Sequence, residues 1–297
     1  MQPPSRRTFL ALGLLTLTAC TADHPGPTPG TGGLRPDPDT PVRLRALAAT
    51  DALLAGYDAL AQNPGLRAET ALHRAALAEG LSPSATPSPT ADPAPVDLAA
   101  LELRTADAHL ADLDAAGPSL ARLLASVAAA NTLHATILGA PVPPPPARPT
   151  TATTATPTPA AALTALQNAL AAEHAAVYGY GVVGARLPAD PQRADARTAY
   201  AAHQAQRDTW QRLLTTLGTT PSPAAAGYQL PFPVTSPTDA TKLATHLETR
   251  LTTVYADLVA AVPTPHRLPA AQALRDTTLR AHHWGAPTTP FPGIPTT

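Results

Sequence analysis

The chain has 297 residues, 44% hydrophobic but only 4% aromatic, and a formal net charge of −1 from 20 Lys and Arg against 21 Asp and Glu. That length fits one large domain or two small ones, and so even a charge, with no basic block or stripe, excludes nucleic acid as a partner. The single cysteine excludes intrachain disulfides, and its position at the end of an apolar run argues against thiol catalysis.

Chain order begins with an address. "SRRTFLALGLLTLTAC" places Arg6 and Arg7 before an apolar run from Phe9 to Leu17 that is too short to span a bilayer. Residues 1–20 therefore read as a twin-arginine-type lipoprotein signal peptide, with Leu17-Thr18-Ala19 as the box before Cys20, the lipidation site. A lipoprotein anchor brings at least two acyl chains, enough for stable attachment. The mature protein is expected to be tethered to the extracytoplasmic face of the cell membrane. Residues 21–40, rich in Pro and Gly, read as a flexible stalk.

Residues 41–139 read as four helices. Leu47, Leu54 and Ala61 repeat by seven on the first; Leu66, His73 and Leu77 mark the second; Leu98, Leu101 and Leu113 the third; Leu120, Leu123, Leu124, Val127 and Leu138 the fourth. Asp97 and Pro118-Ser119 are starts for the last two. Polar residues fall near each stripe: Asp51 and Asp58, Glu69 and His73, Glu102 and His109, Asn131 and His134. Carboxylate with imidazole suits Fe, Mn or Zn, but the spacings of four and seven favour half-exposed boundary positions. Residues 140–160, "APVPPPPARPTTATTATPTPA", form a Pro/Thr linker with polyproline character.

Residues 161–285 read as four more helices: about 161–186, 191–217, one beginning near Asp239 as N-cap, and one starting after Pro269. Gly218 is a helix stop. Leu170 and Val177 define the apolar face of the first, and Glu173 and His174 flank its centre, where a carboxylate is costly unless paired, protonated or metal-bound. Tyr178 and Tyr180 can place rings in the bundle with hydroxyls on polar partners. His203 and Arg207 fall on the stripe of Tyr200, Trp210 and Leu214, whereas Glu248 and His246 lie off the leucine stripe of the third helix. Arg275 and His282 sit one heptad apart on the fourth. Residues 286–297 are expected to be irregular. No segment alternates as a strand, so the fold class is all-α, with two helical bundles joined by Pro/Thr-rich linkers and a layout suggestive of duplication.

"LTALQNALAAEHAAVYGYGVVGARL", residues 163–187, and "AYAAHQAQRDTWQRLL" after it resemble a ferritin-like domain of unknown function found in exported proteins and lipoproteins of high-GC Gram-positive bacteria. The resemblance runs to about Trp284 and implies a ferritin-like four-helix bundle without an established activity. Di-iron carboxylate bundles use a Glu on each of two helices and Glu-x-x-His on each of the other two. Here Tyr200 stands three before His203 and Leu279 three before His282, so both motifs are broken. Three functions remain open. The first is a non-enzymatic binding or scaffolding role, with a buried network of Glu173, His174, Tyr178, His203 and Arg207. The second is a metal-binding or redox protein that holds Fe, Mn or Zn with Glu173, His203, Glu248 and His282. The third is a solute-binding lipoprotein with a pocket near Tyr178, Tyr180 and Trp210. Exposed Ala-rich faces also allow a homo-oligomer.

Overall fold

The computed structural model describes residues 37–81, 97–141, 158–188 and 190–295. Arg6, Arg7, Cys20 and most of both Pro-rich linkers lie outside them. The described residues contain eight α-helices: α1 Thr40–Leu60, α2 Pro64–Ala78, α3 Leu98–Ala111, α4 Pro118–Ile137, α5 Ala160–Arg186, α6 Gln192–Thr216, α7 Pro237–Ala261 and α8 Thr264–His283. Among them no strand is present, and no helix is long and apolar enough to cross a membrane.

Local chemistry sets the helix ends. The Asp97 side chain accepts from the Ala100 amide at 3.1 Å and starts α3. At α7 the N-cap is Ser236 and not Asp239; Asp239 is the third residue of the helix and closes a capping box with Ser236. Helix α8 starts at Thr264, before rather than after Pro269, because the earlier Pro265 already supplies a helical φ at its first turn. Gly218 takes φ +72 just past α6, as a left-handed stop requires.

Neighbour relations repeat between the two sets of helices. Helix α1 packs on α2 and α3, and α3 on α4; likewise α5 packs on α6 and α7, and α7 on α8. Helix α4 then packs against both α7 and α8, and one apolar core runs from Val42 and Leu47 through Leu124 and Leu170 to Leu251 and Leu274. From Asp37 onward the described chain is one compact unit. A second cluster, around Tyr180, Val183, Leu243 and Trp284, closes the far end under Leu230 and Phe232 of the 217–236 loop.

The buried stripes differ from a leucine-only reading. On α1 the inward residues are Ala46, Leu47, Thr50, Leu53 and Tyr57; Leu54 is half-buried and Ala61 is exposed beyond the helix end. Small residues carry much of this burial, so leucine spacing alone misplaces the face. Buried Arg267 of α8 donates to the carbonyls of Leu113 and Ala116 at 2.8 and 2.5 Å, which ties α8 to the α3–α4 turn.

Candidate functional site

Two polar centres lie inside the helices. In the second, Glu173 and Tyr180 stand seven apart on α5, and Glu248 and Tyr255 seven apart on α7, so each pair shares one helix face. The pairs cross-link: Tyr180 donates its hydroxyl to Glu248 at 2.6 Å, and Tyr255 donates to Glu173. His203 of α6 sits between the carboxylates, with Nδ1 2.8 Å from Glu173 and Nε2 3.0 Å from Glu248. Arg280 of α8 donates Nε to Glu248 at 3.0 Å, and Trp210 supports the Tyr255 hydroxyl at 3.4 Å. Each of the four helices supplies at least one member, and Glu173, His203 and Glu248 are fully buried.

Both ring nitrogens of His203 face carboxylate oxygens, so both must donate and the ring is an imidazolium. Burial pushes His203 down, but hydrogen bonds to Glu173 and Glu248 and their charges outweigh it and hold it at about 9. Burial likewise pushes Glu248 up, and Arg280, His203 and Tyr180 together bring it below the ordinary carboxylate range. The Tyr180 and Tyr255 hydroxyls are pushed far up, first by burial and then by the adjacent carboxylates. Two carboxylates therefore face an imidazolium and a guanidinium, a formally neutral set. Among the described residues Glu248 Oε2 has no hydrogen-bond partner.

The first centre uses the same parts in a different order. Tyr57 of α1 donates to Glu102 of α3 at 2.5 Å, as Tyr180 does to Glu248. His134 of α4 bridges Glu102 at 3.2 Å and Glu69 of α2 at 3.1 Å, and Asn131 donates to Glu102 at 2.6 Å. Burial pushes His134 down, but its two carboxylate bonds raise it to about 9. His73 stacks on His134 at 6.0 Å and donates Nε2–H to the Pro290 carbonyl at 2.6 Å; burial holds it neutral, at about 3. His109, held by burial at about 4, has no partner for either ring nitrogen among the described residues. The bridging ring thus comes from the fourth helix here and from the second helix in the other centre, and among the described residues nothing takes the place of Arg280.

These positions correct several sequence expectations. His73, Glu102, His109, Asn131 and His134 are fully buried rather than half-exposed, because α2, α3 and α4 turn their polar residues inward. Asp51 is buried and held by Arg74 at 2.5 Å, while Asp58 is exposed and paired with Arg67. Glu248 lies inside, because the inward face of α7 runs Ala244, Glu248, Leu251, Tyr255. Of the expected network only Glu173 and His203 meet. His174, turned about 100° from Glu173 on the helix, bonds the Ser222 carbonyl at 3.3 Å. Tyr178 is 41% exposed and packs on Tyr228. Arg207 pairs with Asp208. His282 does not join Glu173, His203 and Glu248: two residues past Arg280, it faces the helix end and its Nδ1 lies 3.1 Å from the Ala286 carbonyl. Tyr178 lines a surface groove with Tyr200 and Arg186 that Tyr180 and Trp210, both interior, do not line. Tyr57, Tyr255 and Arg280 were not foreseen. The matched seven-residue spacing of Glu173–Tyr180 and Glu248–Tyr255 was the available signal for Tyr255.

A carboxylate-bundle metal needs donors that converge on one point. In the second centre both His203 nitrogens already point at carboxylates on opposite sides of the ring, and among the described residues no group of three or more His, Cys, Asp or Glu is arranged to hold a metal ion. The residues present do not fit that group.

Residues 165–296 are a DUF4439 domain, matching the family described as Domain of unknown function (DUF4439). A crystal structure of a conserved hypothetical protein from Mycobacterium tuberculosis is 38% identical over 42% of this chain and 94% of its own, with a TM-score of 0.41. No curated protein matches the chain.

Proposed function

We propose that this chain is a lipid-anchored protein of the cell envelope, held at Cys20 on the extracytoplasmic face, with a ferritin-like bundle at residues 161–285 that serves binding or scaffolding rather than catalysis. The observation that carries the non-catalytic part is the closed hydrogen bonding of His203. Its two nitrogens are spent on Glu173 and Glu248, and Arg280 completes the charge balance. The His203 ring, with both nitrogens so engaged, has no free lone pair for metal or substrate. Its chemistry is that of a register lock, in which all four helices must be in place for the full set of bonds to form. The anchor rests on Arg6, Arg7 and the Leu17–Cys20 box.

The test is elemental analysis of the protein purified from its own envelope without chelator. The expected result is folded, helical protein with Fe, Mn and Zn all well below stoichiometric. Near-stoichiometric metal that disappears in Glu173→Gln or His203→Ala would overturn the reading. It would favour the alternative, a metal or redox protein, whose support here is the unpartnered Glu248 Oε2. Detergent partitioning checks the anchor separately: the protein is expected in the detergent phase, and Cys20→Ala in the aqueous phase.

A further inference from the structure

The segment after α8 is irregular, as its composition demands, yet it is closely held. Thr288 donates its hydroxyl to Glu69 of α2 at 2.5 Å, and the Pro290 carbonyl accepts from His73 of α2. The Phe291 ring meets His73 edge-on at 5.5 Å. The Pro292 carbonyl accepts from Ser126 of α4 at 2.8 Å, and the Gly293 carbonyl accepts from Arg122 of α4 at 3.3 Å. Phe291 to Ile294 closes a turn through a 3.0 Å bond, with Pro292 and Gly293 at its centre and Gly293 at φ +78. That is the pattern of a type II turn, which needs Gly at its third position. A Cβ on Gly293 would also run into the Thr252 carbonyl of α7.

We propose that the cleft between α2, α4 and α7 is a recognition site for an extended, proline-containing polypeptide of the pattern Thr-x-Pro-aromatic-Pro-Gly, filled in this structure by the chain's own residues 288–293. The receptor side consists of side chains on α2 and α4, elements distant in sequence from the tail, and His73 and Ser126 are wholly buried beneath it. His73, Ser126 and Arg122 read carbonyl oxygens, and Glu69 reads the Thr288 hydroxyl. Pro290 and Pro292 have no amide hydrogen to leave unsatisfied, and their fixed φ lowers the ordering cost, the physics by which proline-rich ligands are recognised elsewhere. Phe291 supplies an aromatic anchor and Gly293 the close approach to α7. The tail lies within the matched domain, at 165–296, whereas Glu69, His73, Arg122 and Ser126 lie outside it. Ligand and most of its receptor are thus separately specified parts, joined in one chain. The inference rests on the binding role proposed above and gives it a partner class.

The experiment removes residues 287–297 from the mature chain and adds a fluorescently labelled synthetic peptide of residues 286–295 as the probe. Saturable binding to the truncated protein is expected. Binding to the full chain is expected to be at least about tenfold weaker, because the tethered copy competes at high effective concentration. A peptide carrying Gly293→Val is expected not to bind. Failure of the peptide to bind a truncated protein of native helicity overturns the proposal. Should the truncation not fold, a protease site placed between Gly285 and Thr288 and cut after folding replaces it. A cut tail that co-elutes and exchanges with labelled peptide supports the proposal; one that leaves and cannot be replaced overturns it. None of these outcomes depends on metal content, so failure of this inference is distinguishable from failure of the scaffold reading.

Discussion

Four fully buried histidines, His73, His109, His134 and His203, divide into two kinds, and the division sets how stability depends on pH. His134 and His203 are held at about 9 against 6.5 when unfolded. The native state therefore binds more protons than the unfolded chain between those values. Their contribution is complete below pH 6.5 and is lost as pH rises through 9, a loss of roughly 3 kcal/mol for each. His73 and His109 are held at about 3 and about 4, so the unfolded chain binds more protons below 6.5 and stability falls again in acid. Glu69 and Glu248, both held below the carboxylate range, add to the acid loss. Urea unfolding measured between pH 4 and 10 should pass through a maximum near 6.5; a plateau from 6.5 to 9 would remove the imidazolium assignment. Replacing His203 with Leu leaves Glu173 and Glu248 buried without the ring between them and should cost roughly 3–5 kcal/mol near neutral pH. The same variant should lose part of the alkaline decline, a readout that simple loss of packing would not give.

At the level of single elements, two glycines should respond very differently to alanine. Gly179 is inside α5, and a Cβ there meets the Leu247 Cδ1 at 2.6 Å, the free end of a flexible side chain. Gly179→Ala gains about 1 kcal/mol of helix propensity and gives up a similar amount moving Leu247, so its melting temperature should stay close to wild type. Gly293→Ala meets backbone at positive φ. It should cost roughly 1–3 kcal/mol and raise hydrogen exchange across 288–294. Equal effects of the two variants would contradict this account of the tail. The elements also show what was legible in the sequence. Helix existence and order followed from apolar spacing and from Pro and Gly punctuation. The conjunction of Glu173 with His203 followed from polar residues on an apolar stripe. Glu248 was misread because on α7 Ala244 and Tyr255 share its inward face while Leu247 is only half-buried, so leucines alone point the wheel wrongly. Arg280 was invisible for a related reason, since no spacing rule says which polar residue of α8 a carboxylate on α7 will capture.

For the whole molecule, the question is whether two sets of four helices behave as one body. Helix α4 answers it physically. Every residue from Leu124 to Ala135 is buried, so the helix is covered on all sides rather than along one stripe. Such a helix belongs at the centre of a larger body. Its own sequence, "LASVAAANTLHA", already carries almost no strongly polar residue outside Asn131 and His134, a signal that a search for one amphipathic face passes over. The partners that cover it, α7 and α8, belong to the other set, and no local pattern encodes that pairing. Arg267 adds a polar tie by capping the Leu113 and Ala116 carbonyls, which would otherwise end their turn without donors. Separating the sets would expose the far side of α4 and orphan that guanidinium, so neither set should unfold alone. Calorimetry of the mature chain should therefore show one transition, with the calorimetric and van't Hoff enthalpies equal. Arg267→Met should lower stability by roughly 1–3 kcal/mol while the transition stays single, because the shared core around α4 is still intact. Two resolved transitions in the unaltered protein would mean that the α4 packing is too weak to couple the sets. The cleft that holds residues 288–293 would then open with them, since its walls are drawn from both.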